Sequence, residues 1–298
     1  MYAQEPTGGA FVARHTFTAV LCGMQQKTIS VMGCGWLGLP LAQAMVQAGY
    51  RVHGSTTTQE KLPILAAQGI EPFLLTFPEK GPETQLSRFL QADVLVFNLP
   101  PSRQPSSAMP YEQVVEQVLA EAAGRVKHVL FVSSTSVYPD LNREITEADA
   151  LAAANADNLL LRCEHQVQQW SGNGTTVVRF GGLMGGTRHP GRFLAGKDKV
   201  AQPQAPVNMI HLSDCVQILF QIITQNKWKY TFNACAPLHP SRQQFYTTAA
   251  HHLQLPPPTF SAQGEPSFKL INSDLVNQEL QYQFRYPDPL SCLSSPGF

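Results

Sequence analysis

Short β-branched runs alternate with amphipathic helical runs along most of the chain from Lys27 onward. This alternation is typical of a parallel α/β sheet, because a helix usually crosses over between one parallel strand and the next. Seven runs predict strands, in chain order TISVMG, YRVHGS, EPFLLTF, DVLVFNLP, HVLFVSS, TTVVRFG and YTFNAC. Their connections recur about every thirty residues, the length of a βαβ unit. We therefore predict an α/β fold with a doubly wound parallel sheet.

Glycine and proline become denser beyond about residue 180, where the strict alternation weakens. We predict an N-terminal arm or leader over residues 1–26, an α/β core over 27–180 and a small C-terminal lobe over 181–298. Some segments of that lobe are expected to return to the core. The first 23 residues precede Met24, which is a second candidate start of the protein directly before the first predicted strand. The sequence leaves two interpretations of these residues, an added leader and a folded N-terminal helix.

Charge and cysteine content exclude several classes of protein. The 21 basic and 21 acidic residues cancel, so no global field draws the chain to nucleic acid or to an anionic membrane. The six cysteines contain no C-x-x-C pair, which argues against a zinc site and against a disulfide framework. No apolar run approaches the roughly 18 residues that a spanning helix needs. We expect a cytoplasmic protein with a small-molecule substrate and no metal, nucleic-acid or membrane partner.

Three glycines mark the turn between the first predicted strand and the first helix, with G-x-G-x-x-G spacing in GCGWLG. In a dinucleotide-binding turn the first glycine permits the tight turn, the second lets the backbone approach the pyrophosphate, and the third packs the helix on the strand. The following helix offers free N–H groups to the phosphates. The segment therefore predicts a Rossmann-like dinucleotide site. Its cofactor-binding residues are Gly33, Gly35, Trp36, Leu37 and Gly38.

The end of the second predicted strand bears on the choice between NADP and NAD. An NAD site would place an acidic residue there, to accept a hydrogen bond from the ribose 2′-OH. This chain instead has HGSTTTQEKL, with hydroxyl residues and a lysine. Such groups can bind a 2′-phosphate, so we predict NADP, with NAD as the alternative. The assigned residues are Ser55, Thr56, Thr57 and Lys61. The structural alternative is a helix N-cap over residues 55–58.

The segment VLFVSSTSVYPD resembles the extended short-chain dehydrogenase/reductase family, which includes nucleoside-diphosphate-sugar epimerases and dehydratases. That family closes a Ser/Thr-rich strand end with V-Y-G. The segment VVRFGGLMGGTR is similar to its R-x-x-G-x-Y-G-P stretch, and NMIHLSDCVQIL to its I-H-V-x-D helix entry. FNLPPS is similar to the turn of an atypical branch. The resemblance covers about residues 27–290 and implies an NAD(P)-binding oxidoreductase or isomerase.

The resemblance also implies individual site residues. Ser134 matches the catalytic Ser/Thr of the family, which hydrogen-bonds the reacting oxygen. Further cofactor-binding residues are Leu99, Pro100, Pro101 and Ser133, and Thr135 is assigned to substrate binding. Arg188 is also assigned to substrate binding, as a basic residue that could hold a substrate phosphate, with a solvated loop residue as the alternative.

The catalytic Y-x-x-x-K motif of the family is absent. Counting back from Glu164, which matches a glutamate four residues beyond the family lysine, places Leu160 at the lysine and Ala156 at the tyrosine. Neither side chain can carry a proton. Tyr138 leaves the same strand end as Ser134 and is the candidate substitute acid, with a packed structural tyrosine as the alternative.

A second departure concerns the substrate. Many sugar-nucleotide enzymes of the family place an arginine just before the I-H segment to hold a pyrophosphate, which suits bidentate guanidinium bonds. Here Val207, Asn208 and Met209 stand before Ile210, so no cation occupies that place. His211 matches a family histidine that we expect to be buried. The substrate stays open between a nucleotide sugar and a carbonyl compound.

Two functions from different classes follow. The first is an NADP-dependent oxidoreductase or epimerase with a rearranged acid, which the retained SSTSVY favours. The second is a non-catalytic NADP-binding sensor or scaffold, which Ala156 and Leu160 favour. A β-hydroxyacid dehydrogenase would share the G-x-G-x-x-G-L-P start but needs a mostly helical C-terminal half. The runs TTVVRFG and YTFNAC argue against it.

Overall fold

The computed structural model describes residues 26–78, 85–101, 109–262 and 264–295. The predicted N-terminal arm or leader lies outside these residues, apart from Gln26. The last residue of the FNLPPS segment, Ser102, also lies outside them.

The described chain alternates strands with helices. The strands are β1 (Thr28–Met32), β2 (Arg51–Thr56), β3 (Glu71–Leu74), β4 (Val94–Phe97), β5 (His128–Ser134), β6 (Glu144–Ile145), β7 (Gly174–Phe180), β8 (Gly182–Met184), β9 (Met209–His211), β10 (Thr231–Ala234) and β11 (Leu270–Ile271). The helices are α1 (Gly38–Gln47), α2 (Leu62–Ala67), α3 (Leu86–Phe89), α4 (Tyr111–Ala122), α5 (Leu159–Gln169), α6 (Gly191–Leu194), α7 (Leu212–Thr224), α8 (Arg242–His252), α9 (Asp274–Leu280) and α10 (Pro289–Cys292).

Seven of the described strands form one sheet in the order β10-β7-β5-β4-β1-β2-β3. Every neighbouring pair is parallel. These seven strands coincide with the seven predicted runs, so the predicted Rossmann-like α/β fold is confirmed. The strand order reverses between β1 and β4, and in such sheets ligands bind in the crevice at the carboxyl ends of the strands beside this point.

Both faces of the sheet are covered by helices. On one face, α1 and α7 pack against alternate strand residues such as Ile29 and Val31. On the other face, α4 and α5 pack against Leu95, Phe97 and Phe131. Because a parallel sheet buried on both faces needs apolar residues pointing both ways, its strands are nearly continuous apolar runs. The same runs made the strands visible in the sequence.

The C-terminal part of the chain adds a smaller layer at the carboxyl edge of the sheet. β8 begins two residues after β7 ends and pairs with β9. A separate apolar cluster joins these strands to α8 and α10. Two other C-terminal elements belong to the main fold instead, because α7 packs on α1 and β10 is an edge strand of the main sheet. Since β8 directly follows the carboxyl end of β7, the smaller layer lies beside the crevice.

Candidate active site

A cavity of about 430 Å³ opens at the carboxyl ends of β1, β2, β4 and β5. Its walls come from the glycine turn, the end of β2 and the segments that follow β4 and β8. The lining residues that the sequence predicted are Gly33, Gly35, Trp36, Leu37, Ser55, Thr56, Thr57, Lys61, Leu99, Pro100, Pro101, Ser133, Ser134 and Arg188. The structure therefore brings most of the predicted site residues into one cavity.

The first and third glycines of the turn are required by packing. Gly33 has a φ of 92°, and a Cβ there would come within 3.0 Å of the Asn98 carbonyl oxygen. A Cβ on Gly38 would clash with the Gly33 carbonyl. Gly38 is buried and does not line the cavity, so it shapes the turn through the packing of α1.

The second glycine has no such packing constraint. A Cβ on Gly35 would meet no atom within 4 Å, because the residue faces open space at the cavity. The turn leads into α1, whose N-cap residue Leu37 makes no side-chain cap, and the first turn of α1 holds no acidic residue. An uncapped helix start attracts an anion through its N–H groups and its dipole. The space above Gly35 is therefore suited to a phosphate group.

Two side chains from neighbouring strands hold this turn. The Gly33 N–H donates to Ser55 Oγ at 2.9 Å, and the Asn98 Nδ2 group donates to the Gly33 carbonyl at 3.1 Å. Ser55 is thus both a lining residue and a support of the turn. Asn98 was missed by the sequence analysis, although its place directly after the apolar run of β4 was visible.

The end of β2 presents hydroxyl groups and one cation to the cavity. Thr56 is buried and accepts a hydrogen bond from the Thr58 N–H at 3.2 Å, whereas Thr57 and Lys61 are exposed. Thr58 stands at the N-cap of a 3₁₀ turn but makes no side-chain cap. Among the described lining residues there is no carboxylate, and the two cations are Lys61 and Arg188. The charge of the cavity therefore favours an anionic ligand.

The end of β5 contributes two serines that differ in their hydrogen bonds. Ser133 is buried and donates to Glu164 Oε1 at 2.5 Å. Ser134 Oγ accepts the Ser136 N–H at 3.1 Å, a bond that does not use the hydroxyl proton of Ser134. Leu160 of α5, which the sequence count placed at the family lysine, also lines the cavity. Of these groups, Ser134 is the one suited to donate to a ligand oxygen.

The prediction of Tyr138 as a substitute acid is corrected by the structure. Tyr138 is 2 % exposed, packs in a separate apolar cluster and does not line the cavity. Its hydroxyl donates to Asn233 Oδ1 at 2.7 Å and accepts from Arg179 Nη1 at 2.6 Å. Burial raises its pKa, against the lowering effect of Arg179. The hydroxyl is therefore a structural group in the core.

Two further expectations differ from the structure. Thr135, predicted to bind substrate, is buried and does not line the cavity, because it begins a 3₁₀ turn that folds away from the strand end. Ala156 and Leu160 were matched to a family tyrosine and lysine that lie one turn apart on a single helix. However, α5 begins at Leu159, where Asn158 Oδ1 accepts the Leu160 N–H at 2.9 Å. Ala156 therefore precedes the helix.

Besides Asn98, five apolar residues of the described lining were not predicted from the sequence: Cys34, Leu75, Phe77, Val132 and Leu183. Thr58, the last residue of the hydroxyl-rich stretch on which the NADP preference rests, also lines the cavity. Leu75 and Phe77 belong to the third predicted run, so their position at a strand end was the available signal. Burial raises the pKa of the Cys34 thiol to about 12, which keeps it protonated.

The region that would hold a sugar-nucleotide pyrophosphate in the family carries no cation here. Val207 and Met209 pack in the C-terminal cluster. Asn208 donates to the Lys269 carbonyl and accepts the Ile271 N–H, so both ends of its amide are used. His211, as expected, is buried, and its Nδ1 accepts the Ser213 N–H at the start of α7.

Comparison with known proteins places this geometry in a family. The family model for the NAD binding domain of 6-phosphogluconate dehydrogenase matches residues 28–157. Protein YeeZ of Escherichia coli strain K12 is 34% identical over 269 residues, which cover 89% of this chain and 98% of YeeZ. The chain belongs to the YeeZ family. The NAD-binding match confirms a nicotinamide dinucleotide as the cofactor class.

Solved structures extend the likeness over the whole fold. A functionally unknown conserved protein from Silicibacter pomeroyi has a TM-score of 0.71 at 23% identity, covering 90% of this chain and 97% of its own. UDP-glucuronic acid 4-epimerase from Bacillus cereus, in complex with UDP-glucuronic acid and NAD, has a TM-score of 0.68 at 17% identity, covering 89% and 96%. Both likenesses are below 25% identity, and they show the Rossmann-like fold over about nine-tenths of this YeeZ-family chain.

The likeness to 6-phosphogluconate dehydrogenase stays within the NAD binding domain. The match ends at residue 157, and the later strands β7 and β10 both join the sheet. Across the described residues no helix is long and apolar enough to cross a membrane, and no group of three His, Cys, Asp or Glu side chains is placed to hold a metal ion.

Tyr138→Phe tests the structural role of the Tyr138 hydroxyl. The variant removes one of the hydrogen bonds of Arg179, which keeps its buried partner Glu164, and it leaves Asn233 Oδ1 without the Tyr138 donor. We therefore expect a loss of about 1–3 kcal/mol in the free energy of unfolding. Denaturant unfolding measures this loss, and dinucleotide affinity should stay within twofold of the parent. Unchanged stability together with weakened ligand binding would instead place the hydroxyl at the site.

Proposed function

We propose that this protein binds NADP in the cavity and catalyses reductase- or epimerase-type chemistry on a small molecule. The observation that carries the proposal is the open space above Gly35 at an uncapped helix start, in a cavity with no carboxylate among its described lining residues. The turn around Gly35 would hold the pyrophosphate through backbone N–H groups. When bound, the cofactor supplies hydride transfer.

Gly35→Val tests this site, because the packing gives the added side chain room while the ligand would lose its space. We expect stability near that of the parent and a loss of NADP affinity of at least about a hundredfold, since the backbone approach to the phosphates is blocked. Isothermal calorimetry measures the affinity. Gly264→Val is the matched control, because Gly264 also has open space at its Cβ but lies outside the cavity. Parent-like binding by Gly35→Val would refute the site.

The preference for NADP over NAD rests on the end of β2. Thr56 and Thr57 occupy the place where a carboxylate would repel a 2′-phosphate, and the exposed Lys61 lines the same wall. A cation and hydroxyl donors stabilise a phosphate through charge-assisted hydrogen bonds. The same wall offers no carboxylate to accept hydrogen bonds from a ribose 2′-OH.

Lys61→Ala should weaken NADP about three- to tenfold, because an exposed charge-assisted bond to phosphate is lost. NAD affinity should change by less than about twofold, since NAD lacks the 2′-phosphate. Lys197→Ala is the control, as Lys197 is exposed and lies outside the cavity lining. Equal loss for both dinucleotides, or tighter binding of NAD by the parent, would contradict the preference.

The reacting end of the cavity is assigned to Ser134 and Leu160. With an alanine and a leucine at the family Tyr and Lys positions, the hydroxyl of Ser134 is the group of this chain that would hold the reacting oxygen. Between the two open substrate classes, the absence of a cation at residues 207–209 favours a small carbonyl or hydroxyl compound over a nucleotide sugar. The Bacillus cereus neighbour, seen with UDP-glucuronic acid, makes a nucleotide sugar the second class to test.

A second candidate function is a non-catalytic NADP-binding sensor or scaffold. The burial of Tyr138 and the apolar Leu160 favour it, because neither can serve as a proton donor in the cavity.

Ser134→Ala separates the two functions. If the protein is an enzyme, NADPH oxidation with small aldehydes or ketones, or the epimerisation of UDP-glucuronic acid in the presence of NADP, should fall about a hundredfold, as the donor to the developing charge is lost. NADP affinity should be unchanged. A parent protein that binds NADP but neither reduces these carbonyl compounds nor epimerises UDP-glucuronic acid would support the sensor instead.

A further inference from the structure

The segment after β8 folds into a tight hairpin that borders the cavity. The backbones of Gly185 and Arg188 exchange two hydrogen bonds, at 3.2 and 3.1 Å. Gly185 has a φ of 110°, and a Cβ there would clash with the imidazole of His211. The hairpin is therefore pressed against the first turn of α7 on one side.

On its other side the hairpin is attached to the glycine turn. The indole Nε1–H of Trp36 donates to the Gly185 carbonyl at 3.1 Å. The guanidinium carbon of Arg188 lies 5.2 Å from the centroid of the Trp36 ring. A cation at this distance from an indole face is attracted by the ring quadrupole. Trp36 therefore both anchors the hairpin and supports the Arg188 side chain.

Arg188 keeps its charge available to a ligand. The side chain is exposed, lines the cavity and forms no ion pair with a carboxylate of the described chain. A guanidinium is planar and forms bidentate hydrogen bonds with phosphate oxygens. Trp36 directly follows Gly35, above which the phosphate space opens. The supported guanidinium thus stands beside that space.

The sheet order separates this position from the reacting end. Trp36 follows β1, whereas Ser134 ends β5, and β4 lies between these two strands. Two strand spacings amount to about 10 Å. The turn that carries Trp36, on whose ring the guanidinium is seated, is therefore about two strand spacings away from the strand that ends at Ser134.

We propose that Arg188 is a cofactor-binding residue that holds the dinucleotide pyrophosphate against the glycine turn, with Trp36 as its positioning residue. This inference rests on the proposed dinucleotide function and changes the role predicted for Arg188 from the sequence, which was substrate binding. Cofactor binding would then fasten the hairpin after β8 to the turn after β1.

Small nucleotides isolate the pyrophosphate contact. ADP carries a pyrophosphate, whereas adenosine 2′-monophosphate keeps the adenosine and the 2′-phosphate but has no 5′-phosphate. Arg188→Ala should weaken ADP and NADP about tenfold or more, since a charge-assisted bidentate contact is lost. Adenosine 2′-monophosphate should change by less than twofold. Calorimetric competition measures all three, and Arg192→Ala is the control because Arg192 is exposed and outside the lining.

The positioning role of Trp36 is tested by a double-mutant cycle. Trp36→Leu removes both the ring and the Nε1–H, so it should reproduce much of the ADP loss of Arg188→Ala, and the double variant should lose little more. Trp36→Phe keeps a ring and should retain a larger share of the affinity. Thermal unfolding of each variant checks that the fold is intact.

Each outcome has a defined meaning. ADP affinity unchanged in Arg188→Ala would overturn the cofactor role of Arg188 while leaving the proposed function standing, and a raised KM for the substrate in the same variant would return Arg188 to a substrate role. Additive losses in the cycle would overturn the role of Trp36. A parent protein that binds neither NADP nor ADP would overturn the proposed function and the cofactor role of Arg188 together.

Discussion

The glycine turn is held at one residue by its two neighbouring strands. Gly33 gives its N–H to Ser55 at the end of β2 and receives on its carbonyl the amide of Asn98 after β4. The direction of α1, the exposed backbone at Gly35 and the position of Trp36 all depend on the two peptide groups of this one residue. Because strands β2 and β4 lie on either side of β1, the turn is defined only when all three strands are assembled.

Much of the fold and most of the residues that line the cavity could be predicted, because both depend on the local pattern of apolar and polar residues in the sequence. A strand buried on two faces must be a continuous apolar run, so all seven sheet strands were visible in the sequence. Parallel strands end at one edge of the sheet, and residues that follow different strands therefore meet there. This explains why Ser55 and Pro100, 45 positions apart in the numbering, were both assigned to one cavity.

The reacting end was harder to predict because it depends on side-chain direction at chain reversals. Tyr138 follows a 3₁₀ turn, and its hydroxyl is directed by Arg179 of β7 and Asn233 of β10, which no local pattern connects to it. Arg179 is held in turn by the buried carboxylate of Glu164 at 2.6 Å. Likewise, the Asn158 cap sets the start of α5 at Leu159. The count back from Glu164 assumed that the helix extends to Ala156, but Ala156 precedes it.

The cavity wall draws on segments from Gly33 to Arg188, more than half of the chain. A ligand that touches all of them binds only the assembled protein, so occupancy shifts the folding equilibrium toward the native state. At a free concentration one hundred times the dissociation constant, this linkage adds about 2.7 kcal/mol to stability. The supply of dinucleotide in the cell would then influence how long each molecule survives proteolysis, independently of any turnover.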